Sequence, residues 1–142
     1  EISTEHQGKE LHLLGLFVLP DHYATVERMV KEQHVLKEIS NMELVERLNR
    51  AGYLIDYAKV KGRNPNGNAN RAHVAAELLE QGYVTSVREA FDTLLRNGGG
   101  FYVPPSRLQL IDVIKELSRI RVLPVLAHPL QELTEPELMA MN

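Results

Sequence analysis

The sequence predicts a helix-rich α/β fold, and three observations predict it. Residues Val122–Pro129 (VLPVLAHP) form an apolar run that stops on a histidine followed by a proline. Such a run reads as a buried strand, and Pro129 cannot donate to a sheet ladder, so it sets where the strand ends. At the other end of the chain, residues 1–4 and 10–18 are extended candidates joined by the polar His6-Gln7-Gly8-Lys9, the pattern of a hairpin. Between these segments the apolar residues recur at helical spacing.

The elements follow in order. HLLGLFV at 12–18 is nearly all apolar, as expected of a strand buried on both faces. Over residues 23–50 Val26, Met29, Val30, Leu36, Leu44, Val45 and Leu48 keep helical spacing. Ser40 with Glu43 reads as a capping box, so two helices are expected there rather than one. Ala51-Gly52 stops the second, and KGRNPNGNAN at 61–70 is the clearest loop. A short helix over 71–81 ends at Gly82, and Ser86 with Glu89 opens a helix over 87–97, broken by Gly98–Gly100. Phe101-Tyr102-Val103 is extended, and Ser106 is expected to cap a helix over 107–119 whose apolar face is Leu108, Ile111, Ile114 and Leu117. A strand over 122–127 follows, then a last helix starting at Thr134 with Pro136 in its first turn. Only two to four strands are expected in total.

Bulk composition narrows the chemistry. The 142 residues suffice for a real core, and 44% hydrophobic with 25% charged residues is ordinary for a globular chain. A net charge of −3 gives no electrostatic reason to expect nucleic acid or an anionic membrane, and no apolar run approaches a membrane span. Residues 51–107 carry 5 acids and 7 bases, so the middle is mildly basic, which suits an anionic ligand. There is no cysteine, which excludes disulfides, thiolate zinc sites and cysteine nucleophiles. A metal would be held by His, Asp or Glu, a set that suits Zn, Mn or Fe.

Two histidines stand out. His12 lies within an apolar run and His128 at a strand's end, where α/β barrels place site residues. With the carboxylate of Glu1 they could build a hydrolytic metal site; alternatively each is a hydrogen-bonded structural histidine. Arg71 and His73 open a helix after the Asn-rich loop, where both could donate to a phosphate or simply cap and solvate the helix.

Taken together, EIST at 1–4, HLLGLFV at 12–18, NRAHVAAELLEQGYVTSVREAF at 70–91, FYVPPSRL at 101–108 and VLPVLAHP at 122–129 resemble the polymerase and histidinol phosphatase (PHP) superfamily, and within it the stand-alone metal-dependent phosphoesterases. The resemblance implies part of a (β/α)₇ barrel carrying a helical insertion. Residues 1–51 and 108–142 would be barrel pieces and 52–107 the inserted subdomain. It implies Glu1, His12 and His128 as metal ligands, Arg71 and His73 as substrate contacts, and hydrolysis of a nucleotide or other small phosphorylated substrate by metal-activated water. The alternative is a non-catalytic binding or regulatory module. The chain opens inside an apparent strand without a Met and reads as a central piece of a longer cytoplasmic protein. The family's His-x-His and Asp-x-His ligands are not among its residues, so weak or absent binding of divalent metal is expected from this piece alone, as is self-association through exposed strand edges.

Overall fold

The computed structural model describes residues 1–65 and 67–141. Asn66, inside the expected loop, and Asn142 lie outside the described residues. Two compact units are present: residues 1–33 with 107–142, and residues 34–106.

The first unit is built on a four-stranded sheet. Strands β1 (Ile2–His6) and β2 (Lys9–Leu16) pair antiparallel, with Ile2 opposite Leu13 and His6 opposite Lys9. Gln7 and Gly8 close the hairpin at φ of 52° and 80°. Both are left-handed, as a tight two-residue hairpin turn demands, and glycine meets that demand without steric cost. Strand β3 (Leu108–Gln109) runs parallel to β1, and β4 (Leu123–Ala127) antiparallel to β2, giving the order β3-β1-β2-β4. Four strands is the upper end of the expected range.

β2 is not buried on both faces. Leu11 and Leu13 are each 2% exposed, whereas their neighbours His12 and Leu14 are only half-buried. Alternation sends 11, 13 and 15 to one face, where helix α5 (Leu110–Arg119) covers them. A Cβ on Gly15 would meet Val122 Cγ1 at 3.0 Å, so glycine permits a close approach there. α5 also departs from expectation. Leu108 and Gln109 are taken by pairing with β1, so the helix starts at Leu110 with Gln109, not Ser106, at its cap. It buries Leu110, Val113 and Leu117, while Ile111 is exposed. Several of its faces carry apolar residues, and the sheet decides which one is covered. The last helix, α6 (Glu135–Met139), matches expectation: Thr134 caps it, with Glu137 completing the box. Lys9 Nζ donates to Glu137 at 2.6 Å. That bond, with those from Thr134, holds the carboxyl down at about 2.

Residues 23–50 form one helix, α1 (Tyr23–Arg50), not two. Ser40 does not cap. Its Oγ donates to the Val103 carbonyl at 2.6 Å, and Asn41 Nδ2 donates to the Ala69 carbonyl at 2.7 Å. Side chains that would favour a break in an isolated peptide are satisfied by tertiary acceptors, so the helix continues.

The second unit is helical. Asp56 caps the short α2 (Tyr57–Gly62), Asn70 caps α3 (Arg71–Glu80) and Ser86 caps α4 (Val87–Thr93). α2 is one and a half turns and leaves little periodic signal. α4 ends four residues before the expected Asn97. Its terminal region turns back, and the Leu94 carbonyl accepts from Phe101 N at 2.8 Å. Residues 101–103 pair with no strand among the described residues. Leu44, Leu48, Val60, Val74, Leu78 and Leu95 form the fully buried centre of this unit. Glu77 is buried with them, its carboxylate accepting from Arg63 Nη2 at 2.6 Å and from Gln81 Nε2 at 3.0 Å. Among the described residues no helix is long and apolar enough to cross a membrane.

Candidate metal centre

The sheet register assembles the site. His12 stands on β2 opposite Ser3 of β1 and Ala127 of β4, on the face away from Leu11 and Leu13. His128 follows β4 directly. Its backbone is left-handed, φ 31° and ψ 52°, before the 3₁₀ turn Pro129–Gln131. A non-glycine residue in that region carries strain of order 1–3 kcal/mol. The bend goes with a ring that meets His12 edge to face, centroids 4.9 Å apart, with His128 Nε2 3.2 Å from His12 Nδ1. Glu1 Oε1 lies 3.1 Å from the same His12 Nδ1.

One ligand atom from each of Glu1, His12 and His128 falls within 4.8 Å of the other two. An ion bound at about 2.0–2.2 Å by nitrogen and oxygen needs neighbouring ligand atoms roughly 3–3.5 Å apart. The two separations through His12 meet that requirement, and two imidazoles with a carboxylate are a sound donor set for a divalent transition metal. Glu1 and His128 are exposed and His12 is half-buried, so the centre opens to solvent.

The opposite nitrogen of His12 is also engaged. Nε2 lies 3.4 Å from Glu10 Oε1, and Arg107 Nη2 donates to Glu10 Oε2 at 2.5 Å. Burial pushes the Glu10 carboxyl up, but Arg107 and His12 outweigh it and leave it below the ordinary range. Sequence reasoning passed over both residues. Glu10 had a signal, because positions 10 and 12 of a strand share a face. Arg107, far away in sequence, had none.

In the other unit, Arg71 and His73 are the first and third residues of α3, because Asn70 rather than Arg71 is the cap. The Arg71 Nη1 donates to the Leu95 carbonyl at 3.2 Å and to Asn97 Oδ1 at 2.8 Å. Its guanidinium lies 4.0 Å from the centroid of the Tyr102 ring. His73 Nδ1 accepts from Asn70 N at 3.2 Å while Asn70 Oδ1 accepts from His73 N at 3.2 Å, a reciprocal box with histidine in the place of the usual Glu. The two side chains therefore take separate local partners.

No family model matches the chain. It is 28% identical over 131 residues to a 5'-3' exoribonuclease of Haemophilus influenzae, covering 92% of this chain and 47% of that protein. It is 27% identical over 129 residues to the 5'-3' exoribonuclease Rnm of Escherichia coli, covering 91% and 44%. The chain thus spans about half the length of the curated relatives it matches. Among solved structures, a presumed metal-dependent phosphoesterase from Bifidobacterium adolescentis superposes with a TM-score of 0.74 at 20% identity, over 98% of this chain and 51% of that one. An amidohydrolase from Chromobacterium violaceum, solved with sulfate and no metal, gives 0.69 at 22% identity, over 96% and 48%. This chain, mixed α/β with a four-stranded sheet, shares the fold of about half of each of these proteins, consistent with a PHP-like fold.

Proposed function

We propose that this chain is part of a metal-dependent phosphoesterase whose centre includes Glu1, His12 and His128. The observation that carries the reading is the convergence of those three side chains at the open end of the β1–β2–β4 sheet. Residues far apart in sequence meet there, with donor atoms around His12 at the separations a divalent ion requires. The ion would be Mn, Zn or Fe, and when bound it supplies activation of water for attack on phosphorus. His12 and His128 contribute neutral nitrogens and Glu1 the charge that favours a cation. The names of the curated relatives put an RNA 5' end first among substrates, ahead of a free nucleotide or sugar phosphate. Residues 52–107 are read as the inserted subdomain, with Arg71 and His73 as its contacts to the substrate phosphate. The edge strands β3 and β4 are where self-association would occur.

The test uses the whole protein with Mn²⁺ and two substrates, a 5'-phosphorylated oligoribonucleotide and p-nitrophenyl phosphate. Turnover should require the ion, and His128→Ala should lower kcat by more than about a hundredfold. Metal-independent turnover, or full turnover in His128→Ala, would refute the proposal.

A further inference from the structure

His12 is the shared member of both close pairs in the centre, so its ring orientation matters more than that of either partner. Its imidazole has a definite polarity here. Nδ1 faces Glu1 at 3.1 Å and His128 at 3.2 Å, while Nε2 faces Glu10 at 3.4 Å. Glu10 is in turn held by Arg107, whose Nη2 donates to the other carboxylate oxygen at 2.5 Å. The Arg107 side chain is 19% exposed and that of Glu10 38%, so this pair is shielded more than an ordinary surface ion pair. The chain of contacts runs Arg107 to Glu10 to His12, from the start of β3 through β2.

We infer that Glu10 and Arg107 are positioning residues for the metal centre, acting through His12. With its proton on Nε2, His12 donates to Glu10 and turns the Nδ1 lone pair toward Glu1 and His128. The carboxylate also makes the imidazole a stronger donor to a cation. Arg107 fixes the carboxylate, so that Glu10 does not rotate away into solvent. Glu10 sits on the Nε2 side of His12, opposite the Nδ1 that faces Glu1 and His128. This inference rests on the proposed metal centre and adds to it the device that holds His12 in the binding tautomer.

The test is a Zn²⁺ titration of the whole protein, followed by the ring resonances of His12 and His128, for wild type, Glu10→Ala, Arg107→Gln and the double variant. Glu10→Ala should weaken Zn²⁺ binding about ten- to a hundredfold. Arg107→Gln should weaken it less, and the double variant should be no worse than Glu10→Ala alone, because both changes act through one contact. Melting of the metal-free chains provides the second readout. A merely structural pair would lower the melting temperature and leave Zn²⁺ affinity unchanged, and that result overturns the inference while leaving the metal centre standing. Additive losses in the double variant overturn it as well. If the wild-type rings do not respond to Zn²⁺ at all, the metal centre itself fails and the inference falls with it. Should Glu10→Ala not fold, Arg107→Gln decides alone, and unchanged affinity in that variant counts against the inference.

Discussion

Removing Arg63 should destabilise the chain more than any ordinary surface change. Glu77 is 0% exposed, and its carboxylate is held by Arg63 at 2.6 Å and by Gln81 at 3.0 Å. Breaking a buried pair by deleting one partner costs about 3–5 kcal/mol, because the other charge stays buried without compensation. The Arg63 side chain is 28% exposed and Gln81 keeps its bond, so Arg63→Ala should cost less, about 2–4 kcal/mol. For 142 residues the unfolding entropy is about 0.3 kcal/mol/K, so the melting temperature should fall by about 7–13 °C. The pH dependence gives an independent check. Burial pushes the Glu77 carboxyl up, but Arg63 and Gln81 bring it below its ordinary value of 4.5. In wild type its contribution is therefore present above pH 4.5 and lost as pH falls from there toward the folded value. Without Arg63 only Gln81 and Lys59 oppose the burial of the carboxyl, so its pKa should rise. The variant's penalty is then full at neutral pH and shrinks on acidification. Thermal and urea melts followed by circular dichroism between pH 3 and pH 7.5 measure both. A neutral-pH loss below about 0.5 kcal/mol, or a deficit that does not change with acid, would refute the reasoning.

Three further outcomes are expected. Arg71→Ala removes bonds to Leu95 and Asn97 and the Tyr102 stacking, so it should lower stability by about 1–3 kcal/mol. If Arg71 also meets substrate phosphate, kcat/KM of the whole protein should fall about ten- to a hundredfold; unchanged kcat/KM with a lowered melting temperature would retire that role. Gly15→Ala places a methyl 3.0 Å from Val122 Cγ1 and 3.7 Å from Leu117 Cδ2, so it should cost about 1 kcal/mol in a urea melt; a stabilised variant would show that the α5 side has room to give. Calorimetric titration of this chain with Mn²⁺ should show weak binding at no more than one site, because Glu1, His12 and His128 are the three-ligand group among the described residues; two tightly bound ions would contradict it.

The sequence alone determined those features whose free energy is local. Gly8 could be assigned to a hairpin turn because few other residues accept its φ of 80°. Ser86 announced a helix start because its hydroxyl accepts from the Glu89 N–H, and Thr134 one because Glu137, three residues on, accepts from its N–H and hydroxyl. Pro129 marked the end of a strand because it has no N–H to offer. His12 and His128 were legible as candidates because each interrupts an apolar run.

What the tertiary structure decided were balances between distant groups. Ser40 and Asn41 carry a break signal, yet Val103 and Ala69, 63 and 28 residues away, accept their bonds and the helix runs through. Leu108 and Gln109 suit a helix, but the free edge of β1 claims them. Leu14 and Leu16 make the second face of β2 look apolar in the sequence, yet it also carries Glu10 and His12, and only the face under α5 buries its leucines. Glu1, His12 and His128 are separated by 11 and 116 residues, and no spacing rule joins them. Sheet register joins them, because it sets His12 beside the end of β4 and Glu1 at the start of β1, and a left-handed turn at His128 goes with the final approach. The same register aligned Glu10 with Arg107, a pairing that becomes visible only once β3 lies against β1.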